Sequence, residues 1–200
     1  DAERHREQRQ AAARSGLSAA VWLAAGSLAL FSMALGISAV ALPVTLIQDL
    51  GGGTGAVGLS YSLCAFLEVP VMMGIALRPG AFVSYRGMAL GFVAFVAHFV
   101  VLALATSVGG VMISQVPRAL GIGLISCVGI SYLQNLMPGR AGAAAALYAN
   151  TGQVGALLAG LSAGLWAAHL GFHSLFWACV ALAVGGLVLL DLGRRCRQPG

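Results

Sequence analysis

Charge is what this sequence has least of. Only 8% of its 200 residues are charged, against roughly 25% in an ordinary soluble domain. A chain so poor in charge cannot keep a globular surface wet. With 59% of residues hydrophobic, the bilayer must be the solvent for much of the surface. Lysine is absent, and all eleven basic residues are arginine. Their excess over six acidic residues, a net charge of +5, does not point to nucleic acid, because the arginines cluster in loops on one side of the map drawn below. Cysteine is sparse. Cys64, Cys127, Cys179 and Cys196 form no CxxC pair, so neither a disulfide framework nor a metal site is indicated, and no cofactor is expected. No HExxH occurs, and Gly129-Ile130-Ser131 is followed by Tyr132 instead of a second glycine. An intramembrane metalloprotease or serine protease is therefore not expected. The polar first fifteen or so residues are not those of a signal peptide.

What is present is a series of apolar runs. A spanning helix needs ~20 such residues. Runs at about 17–46, 55–77, 87–105, 111–136, 143–168 and 175–192 predict six transmembrane helices, an all-α membrane protein whose residues 17–192 form one bundle. Residues 1–16 read as a cytoplasmic linker and 193–200 as a cytoplasmic tail. Arg4, Arg6, Arg9, Arg14, Arg78, Arg86, Arg140, Arg194, Arg195 and Arg197 all fall on one side of this map. The positive-inside rule places that side, with both termini, in the cytoplasm of a multi-pass protein of the cell (inner) membrane. Glycine is abundant, with 28 residues, and Gly160 and Gly164 form a GxxxG in the fifth span, the pattern that lets helices approach in lipid. Pro43, Pro70 and Pro117 lie inside spans. The carbonyls that proline frees are usually met by neighbouring helices, so a cavity between the first, second and fourth spans is expected.

An ionisable residue at mid-membrane costs ~2.5–3.5 kcal/mol and is a functional candidate by default. Two stand at that depth, Glu68 in the second span and Arg118 in the fourth, beside Pro117. They are read either as a structural ion pair or as a site for substrate or proton. Glu68 is the proton-coupling candidate, because Arg118 does not release its proton. Helical spacing puts Tyr61, Cys64, Glu68 and Met72 on one stripe and Gln115 one turn from Arg118. In the fifth span Asn150 and Gln153 are three apart, with Tyr148 on a neighbouring face. Their neutral donors and acceptors suit sugar hydroxyls, or else hydrogen bonds between helices. His98 reads as a packed or hydrogen-bonded core histidine, and His169 and His173 as solvated residues of the outer turn.

Three stretches carry a resemblance. GISYLQNLMPGRAGAAAALYANTGQVG (Gly129–Gly155), SYSLCAFLEVPVMMGIA (Ser60–Ala76) and HSLFWACVALA (His173–Ala183) resemble the sugar efflux transporters of the major facilitator superfamily. Asn135 stands where that family has Asp, and the loop from Arg78 to Arg86 lacks the superfamily's acidic residue. The resemblance implies the C-terminal six-helix half of a twelve-helix fold, with the site at the midplane between two bundles. Its first, second, fourth and fifth helices would face the cavity. It implies proton-coupled efflux, with Glu68 and Arg118 coupling protons and Gln115, Asn150, Gln153, Tyr61 and Tyr148 meeting substrate. The implied partners are protons, the lipid bilayer, a sugar-like or drug-like small molecule and the N-terminal six-helix half. The alternatives are multidrug efflux by the same fold, or a free-standing six-helix membrane protein acting as a dimer or interaction module. The reading frame upstream of Asp1 separates a transporter half from a free-standing protein.

Overall fold

The computed structural model describes residues 17–78 and 85–196, with the backbone alone for 167–170. The expected linker 1–16 and part of the tail, 197–200, lie outside the described residues, as do 79–84. Six helices account for nearly all of the rest: α1 Ala19–Val44, α2 Thr54–Leu77, α3 Tyr85–Leu104, α4 Val108–Leu136, α5 Ala141–Leu170 and α6 Leu175–Arg195. A π-helical turn, Thr45–Asp49, extends α1 just past Pro43. Gly51 and Gly139 adopt φ of +64° and +76°, the left-handed conformation that lets a chain leave a helix and reverse without a Cβ clash. Ser107 opens α4 by accepting the Gly110 N–H at 3.3 Å, an N-cap.

Among the described residues, five helices are long and apolar enough to cross a membrane. α5 has 30 residues, which is length enough, and Asn150, Thr151, Gly152 and Gln153 lie in its middle. Amides at that depth are tolerated where they face protein or a water-filled cavity instead of lipid.

Both faces of these helices are apolar, so no polar face marks which side is buried. Around the bundle the order is α2, α4, α3, α6, α1, α5, each packed on the next, with a lighter α4–α5 contact closing the ring. Phe31 of α1 meets Phe95 of α3 edge-to-face, ring centroids 4.7 Å apart, and Phe92 at 6.1 Å. These buried rings form the centre of the core. α1 and α5 approach closely enough for backbone to meet backbone. A Cβ on Gly155 would stand 2.5 Å from Ser32 Cβ and 2.7 Å from both Ala29 O and Met33 N. A Cβ on Gly36 would stand 2.6 Å from Ala159 Cβ. The small-residue seam is therefore Gly155, Ala159 and Ala163, all buried. Gly160 and Gly164, the sequence's GxxxG, point away and would meet nothing within 4 Å. Register decides this: the two sets lie on different faces of the same helix. His173 also departs from the solvated residue expected. It is half-buried, and its Nε2 donates to the Ala103 carbonyl at 2.9 Å. That bond ties the α5–α6 turn to the end of α3.

α2 is the least enclosed of the candidate spans. Only Ser60, Cys64 and Ile75 are buried there, and Phe66 and Leu77 are about three-quarters exposed, at 75% and 76%. α5 likewise presents Leu157, Leu161 and Leu165 outward. Such apolar exposure is stable only against lipid or more protein.

Candidate functional site

Two of the three prolines build the site's frame. Pro43 lacks the N–H that would bond the Ala39 carbonyl four residues back. Tyr61 of α2 supplies the missing donor, its hydroxyl lying 3.4 Å from Ala39 O. Pro117 likewise removes the donor that the Ile113 carbonyl would have in α4. His98 of α3 reaches the next carbonyl along, with Nδ1 2.8 Å from Ser114 O. Since a carbonyl can only accept, Nδ1 carries the proton and Nε2 is left as an acceptor. The ring is fully buried and Nε2 has no partner. His98 is thus the hydrogen-bonded core residue expected, and its partner gives it a particular role, since it holds the kinked helix that bears Arg118. Replacing His98 by Leu is expected to remove this buried link between α3 and α4 and cost about 0.5–1.5 kcal/mol. The measure is thermal stability of the purified protein in detergent, and an unchanged midpoint would contradict the assignment.

Arg118 sits one residue beyond Pro117 and is 7% exposed. Its Nη1 donates to Gln115 Oε1 at 3.2 Å. Gln115, itself buried, is fixed by donating Nε2 to the Val111 carbonyl at 3.1 Å and to Ser114 Oγ at 3.2 Å. The guanidinium carbon lies 5.0 Å from the centroid of the Tyr61 ring, within cation–π range. Nε of Arg118 has no partner among the described residues. Tyr61 therefore touches the broken turn of α1 and the cation of α4 at once.

Glu68 lies on the stripe the spacing predicts and is half-buried. It does not form the ion pair that was one of the two readings of its sequence position. The carboxylate accepts from the Cys64 thiol, Sγ to Oε1 3.2 Å. The salt bridges of the described residues are both made by Asp191, so Arg118 has no carboxylate within 4 Å among them. The structure thus brings Tyr61 of α2 against Arg118 of α4, with Cys64 and Glu68 on the same stripe of α2, and leaves the two opposite charges unpaired among the described residues.

The α5 candidates stand apart from this cluster. Asn150 and Gln153 are exposed and make no side-chain hydrogen bond among the described residues. Tyr148 is half-buried. Its ring packs on Gly129, where a Cβ would come within 2.9 Å of Cε2, and its hydroxyl is in hydrogen-bonding range of Ser126. It also lines a cavity of about 250 Å³ between α1 and α5, with Ser32 and Thr151. Helical spacing could not have found Ser126 or Ser32, which reach Tyr148 only through the packing of three helices. His98 gave a sequence signal, as a lone polar residue in an apolar run, but not its partner.

No family model matches the chain. Individual relatives do. A Deinococcus radiodurans protein assigned as a sugar efflux transporter is 36% identical over 166 residues, 82% of this chain and 42% of its own length. Sugar efflux transporter B of Salmonella typhimurium is 32% identical over 153 residues, 74% of this chain and 38% of its own. Sugar efflux transporter A of Escherichia coli is 30% identical over 148 residues, again 74% and 38%. The chain spans about two fifths of the length of the curated relatives it matches. These relatives are transporters, not enzymes. With its apolar helices and this kinship, the chain is a multi-pass membrane protein that belongs to the sugar efflux transporters of the major facilitator superfamily, in the region of their C-terminal half.

Proposed function

We propose that the chain is one bundle of a twelve-helix exporter that exchanges protons for sugars or sugar-like molecules across the inner membrane, with both ends of the bundle cytoplasmic. The N-terminal six-helix half covers the exposed faces of α2 and α5 and closes the cavity. Glu68 takes up and releases the proton. Arg118 answers it, and Gln115, Tyr61, Tyr148, Asn150 and Gln153 bind the substrate's hydroxyls.

The observation that carries this reading is a buried cation on α4 with no carboxylate partner, and a half-buried carboxylate on α2 with no cation partner, among the described residues. A buried charge without a counter-charge is strongly unfavourable. The cluster therefore has two ways to settle. With Glu68 ionised, a movement of α2 against α4 that brings it to Arg118 is favoured. There the guanidinium donates to a substrate oxygen while the carboxylate accepts from a substrate hydroxyl. With Glu68 protonated, both the attraction and that charged acceptor are gone and substrate is released, so proton and substrate exclude each other, which is the coupling an antiporter needs. The names of the relatives support sugars as the cargo, and the amides of α5 supply neutral hydrogen-bonding groups of the right kind.

The test is Glu68→Gln in the full-length protein. Gln keeps the shape and a hydrogen-bonding end but cannot exchange a proton. Proton-driven efflux of a labelled sugar from vesicles is expected to fall to background, while insertion and helix content stay as they are. Efflux that continues at the native rate and still responds to the pH gradient would remove Glu68 from the mechanism.

A further inference from the structure

The ends of α3 and α6 meet at one rim of the bundle and build a second polar cluster. Tyr85 opens α3, and its hydroxyl donates to Asp191 Oδ1 at 3.0 Å. Asp191 also accepts from Arg194 Nη2 at 3.2 Å and from Arg195 Nε at 2.8 Å. The Arg194 guanidinium lies 4.5 Å from the centroid of the Tyr85 ring. One carboxylate thus orients two arginines and a tyrosine. Two positive charges against one negative leave a surplus of one. Each arginine commits one of its five N–H donors to Asp191. The Arg195 side chain remains 72% exposed, so donors remain at the rim.

From this rim a groove of about 560 Å³ runs between α3 and α6 towards the middle of the membrane. Its mouth is Tyr85, Asp191 and Arg195, and its walls are Ala89, Val93, Leu187 and Val188. No residue of the α2–α4 cluster lines it. The walls are apolar, and the bilayer is their surroundings. The mouth carries one unneutralised positive charge at the level where a helix leaves the hydrocarbon.

The geometry points to a binding site for an anionic phospholipid. The phosphodiester sits against Arg194 and Arg195, and an acyl chain lies in the α3–α6 groove. A single negative charge matches the single surplus positive one, and guanidinium donors match phosphate oxygens. Asp191 acts as the orienting group that keeps both arginines at the mouth. A soluble phosphate would leave the apolar groove unfilled, so the lipid is the occupant that accounts for both parts.

Native mass spectrometry of the full-length protein in detergent tests this, with phosphatidylglycerol and phosphatidylcholine of identical acyl chains as probes. Phosphatidylglycerol is expected to bind about fivefold more tightly, the increment of roughly one surface charge. The double variant Arg194→Gln, Arg195→Gln leaves Asp191 as the charge at the mouth and is expected to bind phosphatidylglycerol no more tightly than phosphatidylcholine. Val93→Trp, which fills the groove and leaves every charge in place, is expected to weaken both. Glycerol phosphate without chains is expected not to displace the lipid. Equal binding of both lipids by the native protein would overturn the site. So would a preference that survives the double variant, binding unaffected by Val93→Trp, or displacement by glycerol phosphate.

Discussion

Arg118→Met in the full-length protein is expected to lower export about 30-fold or more. A hydrogen bond to a charged group is worth ~1.5–3 kcal/mol, and a middle value of ~2 kcal/mol is taken as the lower limit for a guanidinium that also binds substrate. If that interaction operates in the rate-limiting step, the lower limit alone is worth ~30-fold. The site geometry explains why the loss should be large. Arg118 is 7% exposed, and its ligands are Gln115 and the Tyr61 ring. Tyr61 in turn reaches the Ala39 carbonyl freed by Pro43. Removing the guanidinium therefore loosens α2 against both α1 and α4. Arg118→Lys separates charge from shape. Lysine keeps the cation but has neither the planar face for Tyr61 nor the fork for Gln115 and a substrate oxygen. It is expected to recover only part of the activity. Initial rates of labelled-sugar efflux at equal protein density are the measurement. Native rates in Arg118→Met would contradict the role proposed for the cluster.

Gly155→Leu is expected to disrupt the bundle itself. The substituted Cβ would stand 2.7 Å from two backbone atoms of α1, closer than any side-chain rotation can relieve. Either α1 or α5 must move. Overpacking a well-fitted interior costs ~1–3 kcal/mol and sometimes more, and a clash with backbone belongs at or beyond the top of that range. Gly160→Leu, on the same helix and with nothing within 4 Å, is the control and should change stability by no more than about 0.5 kcal/mol. Unfolding of the two variants in mixed micelles makes the comparison. Equal midpoints would show that the α1–α5 seam is not as close as described.

The contrast between those two glycines shows where a one-dimensional reading stops. In a soluble helix the polar face announces the buried one. Here α5 carries leucines on its exposed face and alanines on its buried face, so hydrophobicity cannot say which glycine meets a neighbour. The same limit applied to His173, read as solvated and found bonded to Ala103. It applied again to Glu68 and Arg118. Their types and depth marked them as candidates, and spacing placed Glu68 beside Cys64 and Arg118 beside Gln115, because those contacts lie within one helix. Whether Glu68 and Arg118 touch depends on the rotation of α2 about its axis, which no spacing encodes. The α5 residues Asn150 and Gln153 were legible as polar groups in an apolar run. Their exposure depends on which face of α5 the α1 seam occupies.

The amino-acid sequence by itself determined the solvent of this protein. So little charge and so many apolar runs admit only helices in a bilayer, where each backbone group is satisfied within its own segment. It also determined which side chains sit at a cost in that solvent, because the penalty for a charge or an amide in hydrocarbon belongs to the residue type. The tertiary structure decided what meets what: His98 on the Ser114 carbonyl, Tyr61 between Ala39 and Arg118, Gly155 instead of Gly160 at the crossing. Helix packing in lipid is governed by shape and by a few hydrogen bonds more than by hydrophobicity. Those are properties of surfaces brought together, and they exist only once the helices have met.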